Sequence, residues 1–143
     1  MLTQSEADGL ITMRKEFSGN PRINLGPGVN ESHELIGETA RELFLLDIWQ
    51  GTIRLSKVRL QNRARTVFVL VRVDIDGAPH TNPDGARIGG SHIHLYREGF
   101  EDKWAFALDP GEFRNTTDMV QVFRDFCRRC NIVGAPPVQG RLL

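Results

Sequence analysis

One run in the middle of the chain constrains the fold more than any other segment. Between Val67 and Asp76, every second residue, counted from Val67, is aliphatic. We call these residues one parity of the run. Its members are Val67, Val69, Val71, Val73 and Ile75. Successive side chains of a β-strand point to opposite faces, so this parity is expected to face a hydrophobic core. The residues between them, which form the other parity, are apolar at the start of the run and charged at its end, where they are Arg72, Asp74 and Asp76. The run therefore predicts a strand in the middle of a sheet, with a polar end on one face.

Other segments also carry strand patterns. The stretch Thr52–Arg65 alternates between basic or amide residues and apolar ones, which predicts a half-buried strand with a basic outer face. Three more strands are predicted at Glu42–Trp49, Ser91–Arg97 and Lys103–Asp109. Loops are expected at Gly26-Pro27-Gly28 and at Asn30-Glu31-Ser32.

Two amphipathic helices complete the predicted elements. Thr3 and Glu6 form a capping-box pattern at the start of a helix predicted over Ser5–Phe17. A second helix is predicted over Asp118–Cys130, with one of the threonines at positions 116 and 117 as its cap.

These elements predict a single α+β domain over residues 1–143. We expect an antiparallel sheet of about five strands, packed by an N-terminal and a C-terminal helix. Cys127 and Cys130 fall inside the second helix, so they are expected to be buried thiols, not a redox pair or half of a zinc site. The two tryptophans are expected to anchor the core. Residues 134–143 are expected to form a loose tail.

The charge balance excludes a general affinity for polyanions. The chain has 18 Lys and Arg residues against 18 Asp and Glu residues, so nucleic-acid binding would need a local basic patch. No apolar run reaches the ~18 residues of a membrane-spanning helix, and the first residues lack the order of a signal peptide. With only two cysteines, the protein is expected to be cytoplasmic and to have no membrane partner.

The candidate chemistry is concentrated in the window from Gly77 to Glu98. His80 lies there in a turn-rich segment, and His92 and His94 lie in a predicted strand. Because residues two apart share a strand face, His92, His94 and Tyr96 are expected to form one row. If the turns bring His80 beside this row, imidazoles can act as acid and base on a phosphodiester. This hypothesis needs no metal and no cofactor.

Two alternatives use the same histidines. In a metal-dependent enzyme, His80, His92 and His94 would be the ligands, since neutral imidazole is a good donor to divalent transition metals. Asp74 and Asp76 lie at the end of the preceding strand, but the sequence does not assign either of them to such a site. The plainer alternative is a solvated strand face, with His80 closing a turn through a hydrogen bond.

Four arginines are candidate phosphate-binding residues. Arg59 and Arg63 lie on the basic strand, Arg72 lies on the next strand, and Arg97 ends the histidine strand. A guanidinium group matches the oxygens of a phosphate, and neighbouring strands can bring these residues to one surface. The alternative is a solvated edge strand, on which basic side chains oppose edge-to-edge aggregation.

The most unusual residues of the chain resemble those of a known family. They are Gln61-Asn62-Arg63, Arg72-Val73-Asp74, Pro79-His80, Asn82-Pro83-Asp84-Gly85, His92-Ile93-His94-Leu95-Tyr96-Arg97-Glu98-Gly99-Phe100 and Trp104-Ala105. In these residues, which span about the central half of the chain, it resembles a family of small uncharacterised bacterial and prophage-type proteins. The resemblance implies a phage, prophage or mobile-element setting. Small proteins in that setting are often toxins that act on RNA or inhibitors of host machinery.

Two classes of function follow from these observations. The first is a toxin-like, metal-independent ribonuclease with His92 and His94 as acid and base, His80 orienting or replacing one of them, and the arginines stabilising phosphate charge. Tyr96 would stack on a base or donate a hydrogen bond. The second is a non-enzymatic inhibitor or adaptor that binds a host protein, such as a host-defence component or an antitoxin. The sequence leaves open whether the protein is an enzyme, and it leaves the oligomeric state open, a homodimer included.

Overall fold

The computed structural model describes residues 1–39 and 41–140. Its two helices are α1 (Gln4–Thr12) and α2 (Met119–Arg129). The strands are β1 (Lys15–Phe17), β2 (Ile23–Leu25), β3 (Asn30–Gly37), β4 (Leu43–Gln50), β5 (Val58–Ala64), β6 (Phe68–Ile75), β7 (His80–Thr81), β8 (Arg87–Ile88), β9 (His92–Leu95), β10 (Ala105–Ala107), β11 (Ile132–Val133) and β12 (Val138–Gly140). Among these described residues, no helix is long and apolar enough to span a membrane.

Eight of these strands form one sheet. Their order is β10-β9-β6-β5-β4-β3-β1-β11, and all neighbours are antiparallel except β1 and β11. The α+β class is confirmed, but the sheet is larger than the five strands predicted. The aliphatic run forms β6, between β5 and β9, so its predicted place inside the sheet is confirmed. The strands β2 and β12 form a separate parallel pair, and β7 and β8 form a short hairpin.

Both helices pack on one face of the sheet and bury only the second half of the aliphatic run. The prediction is wrong for the first half, where Val67 is 69% exposed and Val69 is half-buried, because the register between β5 and β6 shifts at a bulge. Val71 and Val73 are fully buried in a core that also contains Leu10 of α1 and Phe123 of α2. Burying each such side chain stabilises the fold by about 1.5–3 kcal/mol. This face is therefore the hydrophobic core, and the other face of the sheet is free to carry a polar site.

A buried lysine joins the ends of the two helices. Lys15 is 0% exposed, and its Nζ donates to the carbonyl oxygens of Ile11 (2.9 Å), Met13 (3.0 Å) and Cys130 (2.7 Å). These carbonyls lie at the C-terminal ends of α1 and α2, where a cation is favoured. The Phe44 ring lies 4.8 Å from Nζ. Burial lowers the pKa of Lys15 to about 8.

The helix ends differ from the sequence prediction. The capping box of α1 is present, but the helix ends at Thr12 and not at Phe17, because the following residues form β1 against β3. Asp118 caps α2 by accepting from the backbone N–H of Gln121, so neither threonine at 116 or 117 is the cap.

The two cysteines are buried, as expected. Both Cys127 and Cys130 are free thiols, and burial raises the pKa of each to about 12.

The strand ends differ as well. The segment from Asn30, predicted as a loop, forms β3, because pairing with β4 and β1 satisfies its backbone although its side chains are mostly polar. The strand β5 begins only at Val58, and β9 and β10 are shorter than predicted. The expected loose tail is partly ordered: residues 138–140 pair with β2, whereas 141–143 lie outside the described residues.

Candidate functional site

The face of the sheet opposite the helices carries polar side chains in two rows that cross five strands. We call this surface the open face. One row consists of Asn30, Trp49, Arg59, Asp74 and His92, and the other of Ser32, Asp47, Gln61, Arg72 and His94. Directly paired residues of antiparallel strands point to the same side of a sheet. The register of β9 on β6 therefore places two histidines beside an aspartate and an arginine.

The three predicted histidines meet at the β9 end of the open face. The ring centroids are 4.7 Å apart for His80 and His94, 4.8 Å for His92 and His94, and 5.9 Å for His80 and His92. The convergence of these residues, which the sequence left open, is present in the structure.

His80 reaches the other two histidines because the β7–β8 hairpin folds onto the sheet. The side-chain amide of Asn82 bonds to both the N–H and the C=O of Ala105, at 2.8 and 2.9 Å. The Nε2 atom of His80 lies 2.7 Å from the carbonyl oxygen of Lys103. Gly85 closes the turn with a φ of 88°, a conformation that favours glycine. These contacts fix the hairpin over β9 and β10.

The side chains of His92 and His94 are buried and held in place by hydrogen bonds to the backbone. Their side chains are only 2% and 1% exposed. The Nδ1 atom of His92 lies 2.6 Å from the Gly89 carbonyl oxygen, and that of His94 lies 2.8 Å from the Asp102 carbonyl oxygen. A carbonyl oxygen only accepts, so each Nδ1 carries the hydrogen. The remaining nitrogen of each ring, Nε2, is directed at the same place, the side chain of Asp74.

Asp74 is the centre of this cluster. Its Oδ1 accepts from Arg59 Nε at 2.8 Å, and its Oδ2 lies 3.1 Å from Arg72 Nη2, 3.1 Å from His92 Nε2 and 3.3 Å from His94 Nε2. Burial alone would raise the pKa of this carboxyl group. The contact with His94 and the charges of Arg72 and Arg59 outweigh burial and hold the pKa well below its usual range. Asp74 is therefore an ionised carboxylate at neutral pH.

Arg72 lies against this cluster with an incomplete set of hydrogen bonds. Its Nη2 donates to Asp74 and also lies 3.0 Å from Nε2 of His94. Its Nη1 reaches Asp102 only at 3.5 Å, and its Nε is buried with no partner in the part of the chain that the structure describes. The guanidinium group thus supplies positive charge to Asp74 without being fully satisfied itself.

A groove runs along the open face away from the histidines. A cavity of about 220 Å³ lies under the hairpin and is lined by Arg72, Asp74, His80 and His92. A second depression, of about 380 Å³, is lined by residues of β3, β4 and β5. The two adjoin at the side chains of Trp49, Lys57 and Arg59, which line both of them. We call the two adjoining depressions together the sheet groove.

The four candidate arginines have different positions. Arg59 lies in the sheet groove with a side chain that is 51% exposed, and Arg72 lies at its histidine end. Arg63 also lines the groove, but its guanidinium nitrogens bond to Asp47 and to the Thr66 carbonyl. Arg97 does not lie on the open face: its guanidinium stacks over the Trp104 ring, 4.5 Å from the centroid, beside α1.

The predicted row of His92, His94 and Tyr96 ends at His94. Tyr96 follows the last residue of β9 and turns into the core, where its hydroxyl accepts from the Leu2 N–H and donates to the Leu2 carbonyl, both at 2.9 Å. The prediction that Tyr96 shares the histidine face is therefore wrong. The prediction for Trp49 is also wrong, since its ring is half-buried on the open face, with Lys57 Nζ 5.7 Å from its centroid.

Three residues of the candidate site were not predicted from the sequence. Asp74 is the centre of the cluster, and Trp49 and Lys57 lie at the middle of the groove. The alternation of β6 already placed Asp74 on the same face as Arg72. Only the register between strands, which the sequence does not encode locally, shows that this face meets the histidines.

Comparisons with known proteins give a family and nothing more specific. A family model described as a family of unknown function, DUF6978, matches residues 2–132. The chain belongs to this family. No curated protein and no solved structure matches the chain. The expected membership of an uncharacterised family is confirmed, and the prophage setting stays a prediction.

Proposed function

We propose that the open face binds single-stranded RNA along the sheet groove. The observation that carries the proposal is the groove itself: Lys57 and Arg59 flank the aromatic ring of Trp49 where its two depressions adjoin. Surfaces of this kind suit single-stranded nucleic acids, because cationic side chains follow the phosphates and an aromatic ring stacks on a base. Such a patch fits a chain whose net charge is zero, since attraction is confined to the groove.

The length of the groove favours a chain-like ligand over a mononucleotide. The rows of the open face run from β3 to β9 and cross four strand spacings, or about 19 Å at the usual distance between strands. Residues of both rows line the groove along this path, so a ligand that fills it has several repeating units.

The charged side chains in the groove are arranged so that some cationic groups remain available to bind a phosphate. The carboxylates of Asp47 and Asp74 are bonded to Arg63 and Arg59, so their repulsion of a phosphate is offset. Within the described chain, Arg59 uses only its Nε for this pairing, which leaves both terminal nitrogens for a ligand. The Lys57 ammonium lies over Trp49 and can contact a phosphate beside a stacked base.

The proposal concerns binding. In this geometry both ring nitrogens of His92 and of His94 already face polar partners, and both side chains are buried. Acid–base catalysis by these residues therefore stays a prediction from the sequence, and so does the alternative of a host-protein inhibitor. Binding is the part of the predicted activity that the accessible residues of the open face support.

A salt titration of RNA binding tests the proposal. Fluorescence anisotropy with a labelled oligouridine should show binding that weakens with salt, because each phosphate contact on a single strand contributes about −0.7 to the slope of log K against log salt. Lys57→Ala and Arg59→Ala should each make the slope less negative by about 0.7. Trp49→Ala should weaken binding about tenfold or more through lost stacking.

Arg124 provides the matched control. It is exposed on α2, on the other side of the sheet, so Arg124→Ala removes the same charge as Arg59→Ala without touching the groove. The control should leave affinity and slope unchanged. The proposal is wrong if wild-type protein does not bind oligouridine at low salt, or if Arg124→Ala weakens binding as much as Arg59→Ala.

A further inference from the structure

We propose that Asp74, His92 and His94 form a binding site for a divalent first-row transition metal, with zinc as the expected ion. The three residues come from two neighbouring strands, and one ligand atom from each lies within 4.8 Å of the others. The inference goes beyond the RNA proposal and does not rest on it. It also differs from the metal site considered from the sequence, in which His80 was the third ligand.

The orientation of the imidazoles is the first argument. Each histidine donates its Nδ1–H to a backbone carbonyl, of Gly89 for His92 and of Asp102 for His94. Metal-binding histidines are held in the same manner, because the hydrogen bond fixes the tautomer and directs the lone pair of the other nitrogen at the ion. Here both Nε2 atoms are directed at Oδ2 of one carboxylate.

The spacing of the donor atoms is the second argument. An ion with bonds of about 2.0–2.1 Å and tetrahedral geometry needs donors about 3.3–3.4 Å apart. Two of the three spacings match this value, since Oδ2 of Asp74 lies 3.1 Å from Nε2 of His92 and 3.3 Å from Nε2 of His94; all three donor atoms lie within 4.8 Å of one another. The set of two imidazoles and one carboxylate suits zinc and its neighbours in the first transition row.

The hydrogen bonds of the cluster are the third argument, because they leave a buried donor unsatisfied in the described chain. Arg72 supplies the cationic charge beside Oδ2 but leaves its own buried Nε without a partner in the described chain. A metal ion would use the lone pair of His92 Nε2 and replace Arg72 as the cation beside Asp74.

The surroundings leave room for such an ion to work on a ligand. Arg59 bonds to Oδ1 of Asp74 and holds the carboxylate in place, so the metal ion would displace the contact of Arg72 with Oδ2 and leave that of Arg59 intact. His80 is not needed as a ligand, since its Nε2 is bonded to the Lys103 carbonyl. Three protein ligands leave a fourth position open, and Asp74 and His92 line the cavity under the hairpin.

Isothermal titration of the chelator-stripped full chain with ZnCl₂ alone, without RNA, tests the inference. We expect one equivalent to bind, with a rise in melting temperature that follows the zinc concentration. His92→Ala and His94→Ala should each weaken binding by about 100-fold or more. His33→Ala is the matched control, because His33 lies on β3 and contacts Glu31 instead.

Arg72→Gln separates a metal site from a purely structural cluster. It removes the competing positive charge while keeping a hydrogen-bonding side chain, so zinc should bind about tenfold more tightly or better. A structural role for the cluster predicts no such gain. The inference is overturned if zinc does not bind stoichiometrically to the wild type, if Arg72→Gln weakens zinc binding, or if His33→Ala weakens it as much as His92→Ala. These outcomes are independent of RNA binding, so failure of either proposal leaves the other standing.

Discussion

The buried ammonium of Lys15 gives the sharpest test of what holds the two helices to the sheet. Lys15→Met keeps the aliphatic length but removes the donor to three carbonyl oxygens at the ends of α1 and α2. A buried carbonyl left without its donor costs about 1–3 kcal/mol. Removing a buried charge and adding apolar contact offsets part of that loss. At pH 7 we expect a net loss of about 2–4 kcal/mol in the free energy of unfolding.

The pH dependence of this loss has a definite sign. The pKa of Lys15 is about 8 in the folded chain and 10.5 for an unperturbed lysine. Between these values the unfolded chain holds a proton that the folded chain has released, so the contribution of Lys15 to stability rises with pH. The full rise is about 3 kcal/mol, at 1.36 kcal/mol for each pH unit. The stability difference between wild type and Lys15→Met should therefore widen from pH 7 to pH 10.

Urea denaturation of both proteins at pH 7 and pH 10 measures this difference. The raised pKa values of Cys127 and Cys130 lower stability above pH 9, but they act in both proteins and largely cancel in the comparison. Lys103→Met is the control for the loss of a lysine at an exposed position. A difference that stays flat or narrows for Lys15→Met would refute the reasoning.

Three further changes test other parts of the fold. Val71→Asp places an unpaired charge in the core and should cost about 4 kcal/mol or more, so an unchanged melting temperature would contradict the position of β6. Replacing Cys127 and Cys130 by Ala together should lower the free energy of unfolding by about 1 kcal/mol for each thiol and leave RNA binding unchanged. Loss of RNA binding in a folded variant would instead indicate a functional role for the two cysteines. Asn82→Ala removes both hydrogen bonds to Ala105 and should cost about 2 kcal/mol, with faster hydrogen exchange at the Ala105 amide; an unchanged exchange rate would contradict the anchoring of the hairpin.

The sequence predicted those elements whose hydrophobic pattern is strong. The strand β6 and the capping box of α1 are both present, because each depends on residues close together in the chain. The strand β3 was missed because its side chains are mostly polar, so they give no alternating pattern. Its conformation depends instead on backbone pairing with β4 and β1. Pairing partners decide such a strand, and the sequence does not specify them.

The candidate site could be predicted only in part, because part of it depends on local patterns and the rest on the pairing of strands. Alternation within β9 correctly placed His92 and His94 on one face, and the turn at Asn82 correctly brought His80 to them. Alternation gave the wrong face for Tyr96, because β9 ends one residue earlier. Burial of the Tyr96 ring in the core stabilises its position there. The role of Asp74 could not be predicted, since it depends on the register of β6 against β9.

The most direct test of the account is a map of where RNA contacts the protein. Amide and indole chemical shifts of ¹⁵N-labelled protein, followed during titration with oligouridine, report each residue separately. The account predicts the largest changes at the Trp49 indole and along β4, β5 and β6 on the open face, with α1 and α2 unaffected. Changes concentrated on α2, or beside Arg97 and Trp104, would contradict it.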